Sequence, residues 1–75
     1  MDGLFLLAMH LIQLTGPEHQ VIELNPKSIV SLRHPRVIEH FAPGTHCLIN
    51  TTDGKIVVVQ EACDTVRHMI EDQKQ

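Results

Sequence analysis

His34, His40 and His46 recur every six residues, and Cys47 directly follows the last of them. Imidazole nitrogens and a thiolate are good zinc ligands, and a flexible segment could fold all four around one ion. Structural zinc sites, however, usually present paired ligands roughly two to five residues apart, and this stretch has no such pair. His10, His19 and His68 show that histidine is frequent throughout the chain. The plainer expectation is solvated loop histidines, with a metal- or ligand-responsive domain using His34, His40, His46 and Cys47 as the alternative.

Nucleophilic chemistry finds less support. His46 adjoins Cys47, but neighbouring side chains in a strand point to opposite faces. His68 follows Cys63 by five residues, about a turn and a half along a helix, so neither thiol has a ready base. The carboxylates Glu23, Glu39, Glu61 and Asp64 show no pairing that would raise a pKa, and no phosphate-cradling glycine loop or serine nucleophile motif is present. The sequence predicts no catalytic residue and no cofactor.

Composition narrows the remaining classes. The 75 residues amount to one small domain, 43% hydrophobic with a net charge of -3. Phe5 and Phe41 are the only aromatics, so platforms for stacking bases or sugars are nearly absent. Six Lys and Arg are outnumbered by nine acids; Arg33 and Arg36 are the only hint of a basic patch, which makes nucleic acid a poor partner. Cys47 and Cys63 lie sixteen positions apart without a CxxC spacing, and the reading is two free buried thiols in a reducing cytosol. The apolar start "MDGLFLLAMHLI" carries Asp2 where a signal peptide needs Lys or Arg, and it is too short to span a bilayer. A cytoplasmic protein without membrane insertion is expected.

The elements that must position any site follow from turn signals and periodicity. "HLIQLT" and "QVIEL" alternate apolar and polar residues around "GPEH", which reads as an antiparallel hairpin. Asn25-Pro26 ends the second strand, and "KSIVSL" is a third. From Arg33 to Thr45, "RHPRVIEHFAPGT" reads as a long connection whose apolar residues Val37, Ile38 and Phe41 pin it to the body. "HCLINTTDGKIVVVQ" is a second hairpin, with Asp53-Gly54 suited to a two-residue type I′ turn. A closing helix spans about Ala62 to Asp72, with Ala62, Val66, Met69 and Ile70 as its apolar stripe. The fold class is therefore α+β: a small antiparallel β-meander of four to five strands with one C-terminal helix.

Ile56 to Val59 are apolar on both faces, and the helix can cover only one. Either the N-terminal "LFLLAM" folds across the other face or a second copy does, and a homo-oligomer is the expectation.

The pieces "IQLT", "LNPKSIVSL" and "INTTDGKIVVVQEACDTVRHMI" resemble the small flagellar FlbD family of short bacterial proteins. Val59-Gln60-Glu61 matches that family's Val-x-Glu, and Asn25-Pro26 its Asn-Pro. The resemblance spans roughly residues 9 to 72 and implies that residues 1–8 are either an N-terminal extension or a product of start-codon choice. It implies a cytoplasmic accessory role in flagellar motor function or flagellar gene expression, with no catalytic residues. The sequence reading is thus a non-enzymatic module that binds another protein. Its expected means are a strand edge and the loop, with Arg33, Arg36, Phe41 and His46 as the contact residues.

Overall fold

A computed structural model describes residues 11–73 of the chain. The expected extension over residues 1–8, and the suggestion that Leu4 to Met9 fold across the sheet, lie outside the described residues.

Among the described residues, two antiparallel sheets and one helix make up the α+β fold. Strands β1 (Ile12–Thr15) and β2 (Val21–Leu24) form a hairpin. A 3₁₀ turn over Pro26–Ser28 leads into β3 (Ile29–Arg33), which pairs with β4 (Cys47–Thr51); β4 in turn pairs with β5 (Ile56–Val59). Helix α1 (Cys63–Gln73) closes the described chain. The strands fall into a two-stranded and a three-stranded sheet. The break comes at Asn25-Pro26: the Asn25 side chain accepts from Lys27 N–H at 3.0 Å, and its carbonyl accepts from Ser28 N–H at 2.8 Å. Proline withholds a donor there, so the ladder cannot continue.

The core lies where the inner faces of both sheets meet the helix. Ile12 and Leu14 from β1, Cys47 and Ile49 from β4, Val59 from β5, and Cys63 and Val66 from α1 are all buried together. Burying an aliphatic side chain of this size is worth roughly 1.5–3 kcal/mol, so these few residues carry much of the stability of so small a domain. The helix stripe begins at Cys63, since Ala62 is exposed. Ala62 instead supplies the carbonyl that accepts the first helical bond, from Val66 N–H at 3.0 Å. The backbone latches the sheets together at the end of β5. Gln60 N–H donates to the Thr15 carbonyl at 2.7 Å, Thr15 N–H donates to Glu61 Oε1 at 2.9 Å, and Gln60 Nε2 reaches the Gly16 carbonyl at 2.8 Å.

The expectation of free thiols is overturned. Cys47 and Cys63 form a disulfide with their Cα atoms 5.0 Å apart, and no described cysteine is free. The helix starts directly over the inner face of β4, bringing two positions distant in sequence within bridging range.

The second hairpin also differs from the expected type I′ turn. Gly54 N–H donates to the Thr51 carbonyl at 3.0 Å and Thr51 N–H to the Lys55 carbonyl at 3.0 Å, so three residues form the loop. Only Gly54 has positive φ (83°); Asp53 does not. The Asp53 carboxylate accepts from the Thr51 hydroxyl and from Lys55 N–H, which favours an ordinary φ at that position. The Thr51 contact is the larger of those that hold the Asp53 carboxyl below its usual range.

A bulge in β3 decides where the long loop begins. Ile29 pairs with Thr51 and Ser31 with Asn50, leaving Val30 as an extra, exposed residue. The insertion shifts the alternation by one, so Ile29 and Leu32 pack on the core while Arg33, paired with Leu48, takes the opposite face.

Candidate functional site

Arg33 thus ends β3 with its guanidinium outside the core, where the loop to β4 departs. It closes on Glu39 through two parallel bonds, Nη1 to Oε1 at 2.9 Å and Nη2 to Oε2 at 2.8 Å. Arg36 N–H donates to the same Oε1 at 2.8 Å, and Glu39 N–H returns a bond to the Arg36 carbonyl at 3.0 Å. One carboxylate therefore braces a four-residue turn from Arg36 to Glu39 against the end of a strand. Bidentate arginine–carboxylate pairs restrict geometry as well as adding attraction. The Arg33 bonds, then the Arg36 N–H, pull the Glu39 pKa down to about 2, and the Glu39 bond raises that of Arg33.

The middle residues of this turn are Val37 and Ile38. Val37 is 100% exposed and Ile38 78%, so they do not pin the loop to the body as expected. The physical reason is the brace itself: with Glu39 drawn back to Arg33, the turn's outer edge faces water. Phe41 is half-buried.

A second turn returns the chain to β4. Thr45 N–H donates to the Ala42 carbonyl at 3.2 Å, with Pro43 and Gly44 (φ 91°) in the middle positions, as a type II turn requires. His46 then donates through Nδ1 to the Gln60 carbonyl and through its N–H to the Val59 carbonyl, both at 2.8 Å. Its ring is exposed but engaged.

The four residues expected to contact a partner therefore divide by role. Arg33 is a brace and His46 an anchor, Phe41 is half-buried, and Arg36 alone keeps its guanidinium out of the ion pairs formed among the described residues. The sequence predicts Val37 and Ile38 as ties, but they are the most exposed large apolar groups of the loop. The signal that could have identified them is Glu39, spaced three residues after Arg36 and six after Arg33, where one carboxylate can reach both.

The proposed metal ligands do not converge. Cys47 is sealed in its disulfide and offers no thiolate, and no group of three or more His, Cys, Asp or Glu is placed to hold an ion among the described residues. No described helix is long and apolar enough to cross a membrane.

No family model matches the chain, and no characterised protein or solved structure shows significant similarity to it.

Proposed function

We propose that this chain is a small non-enzymatic protein-interaction module whose recognition element is the braced loop from Arg33 to His46. The observation that carries this reading is the exposure of Val37 and Ile38 on a turn held by three hydrogen bonds to Glu39. Adjacent branched aliphatic groups in water are unfavourable, and holding them in a fixed shape adds a cost that a scaffold does not need. A preformed turn lowers the entropy lost on binding, which is where rigidity helps. Arg36 beside the apolar pair supplies a charge by which a partner could be selected.

The FlbD-like pattern of strands and turns makes the partner a component of bacterial flagellar motility, with the chain as an accessory factor. Cytoplasmic placement comes from the same resemblance. The thiol argument for it is gone, because a buried disulfide is more typical of oxidising compartments.

The test is affinity capture from flagellated bacterial cells with the wild-type chain and with Val37→Ser/Ile38→Ser, followed by reconstitution with purified components. A protein that binds the purified wild type directly and is lost with the double variant supports the reading. Equal capture by both chains, at equal melting temperature, would assign recognition elsewhere.

A further inference from the structure

The loop has two roots, and each is held differently. At the first, Arg33 grips Glu39. At the second, His46 gives its N–H to the Val59 carbonyl and its Nδ1–H to the Gln60 carbonyl, both at 2.8 Å. The two cysteines flank this second root: Cys47 follows His46, and Cys63 stands three residues after Gln60. Their bond therefore ties the segment that carries the donors to the segment that carries the acceptors. The Gln60 N–H is fixed by the Thr15 carbonyl, but the Gln60 carbonyl belongs to the next peptide plane, whose orientation follows the chain onward to Cys63. Cys63 and Val66 are the buried residues of α1, so the helix is seated by its first turn, and the cross-link sits in that turn. A helix of eleven residues has little stability of its own.

We propose that the oxidation state of Cys47 and Cys63 sets the shape of the loop at its His46 root. That this governs recognition rests on the loop being the recognition element. Reduction consumes two thiol groups of a thiol reductant. The first, as thiolate, attacks one sulfur of the bridge, forms a mixed disulfide and expels the other cysteine. The second displaces the first, which leaves both cysteines as thiols carrying the two protons and the reductant as its own disulfide. Both cysteines are buried, so exchange waits for the first turn of α1 to open, and the response is slow. With the bridge gone, that turn loses its covalent seat and the Gln60 carbonyl turns away from the imidazole. The Gln60 N–H, Gln60 Nε2 and Glu61 keep their bonds to Thr15 and Gly16, so the sheets stay joined and the reduced chain stays folded. The Arg33–Glu39 brace, at the other root, is untouched.

Nuclear magnetic resonance of the full chain tests this, first oxidised, then with a dithiol reductant, then with oxidised glutathione to restore the bond. At a pH where the ring is neutral, His46 of the oxidised chain should carry its proton on Nδ1. After reduction the ring should shift toward the Nε2–H tautomer that free histidine prefers. Amide exchange at Thr45 and His46 should accelerate by roughly tenfold or more. Arg36, Glu39 and β1 should keep their rates, and reoxidation should reverse every change. Cys47→Ala/Cys63→Ala should match the reduced chain with no reductant present. A reduced chain in which β1 and β4 lose all protection would make the bond a staple of the whole fold and overturn the proposal. An unchanged His46 ring and Thr45 amide would overturn it too, because the bond would then not reach the loop. So would a bridge that the dithiol fails to open in the folded chain. Neither readout involves a partner, so a failed capture experiment counts against recognition by the loop and leaves this coupling standing.

Discussion

Downstream of Cys47 the chain is held by buried aliphatic packing and a disulfide, whereas upstream, from His34 to His46, it is held at the surface by hydrogen bonds. Ile49, Val59 and Val66 lie out of water on the first side, and Val37 and Ile38 stand in it on the second. Both stretches are given a definite shape. In the scaffold, shape follows from removing apolar surface from water. In the loop, polar bonds impose the shape and leave apolar surface outside. Stability should therefore reside almost wholly in the scaffold, and recognition in the loop.

The disulfide sets the largest contrast. Cys47→Ala/Cys63→Ala should lower unfolding free energy by about 3 kcal/mol in urea denaturation, the chain-entropy value for a cross-link of this span. A variant as stable as wild type would mean that packing alone seats the helix. The two hairpin turns give a smaller effect. Both close a three-residue loop with the same pair of backbone bonds, but Gly54 occupies the left-handed position in one and His19 (φ 68°) in the other. Gly54→Ala should cost about 1 kcal/mol, since nothing crowds the new Cβ and only the conformation resists. His19→Gly should add up to about 0.5 kcal/mol, as relief of conformation is partly offset by glycine's greater freedom when unfolded. Thermal melts of both variants check the sign.

Acid should loosen the loop before the scaffold. The carboxyl of Glu39 has its pKa lowered from 4.5 to about 2 by Arg33 first and the Arg36 N–H second, so its contribution is complete above about 4.5. It is lost as pH falls towards about 2. Amide exchange at Glu39, corrected for intrinsic rates, should accelerate across that window while β4 amides remain protected. The smallest effect belongs to Val37→Ser/Ile38→Ser, which should leave stability within about 0.5 kcal/mol of wild type while changing what the chain binds.

The elements with local causes could be read from the sequence. Alternation located β1 and β2, Asn25-Pro26 marked the break after β2, and a 3.6-residue rhythm located α1 to within a residue at either end. What escaped depended on encounters between distant residues. The Cys47–Cys63 bridge requires knowing that the helix starts over β4. The bulge at Val30 leaves no mark on composition, yet it decides that Arg33 faces the loop. Apolar residues in a loop are normally expected to face inward, and only the reach of Glu39 to both Arg33 and Arg36 explains why Val37 and Ile38 face outward. Of the candidate site, the segment was legible and the roles within it were not.

The most direct test of the division between scaffold and loop is ¹⁵N relaxation at neutral pH, on dilute wild type and on Glu39→Gln. The account predicts order parameters near 0.85 for Val37 and Ile38 in the wild type, matching the strands, and values below about 0.6 in the variant with β4 and β5 unchanged. Val37 and Ile38 already mobile in the wild type, or equally rigid without the Glu39 carboxylate, would contradict it.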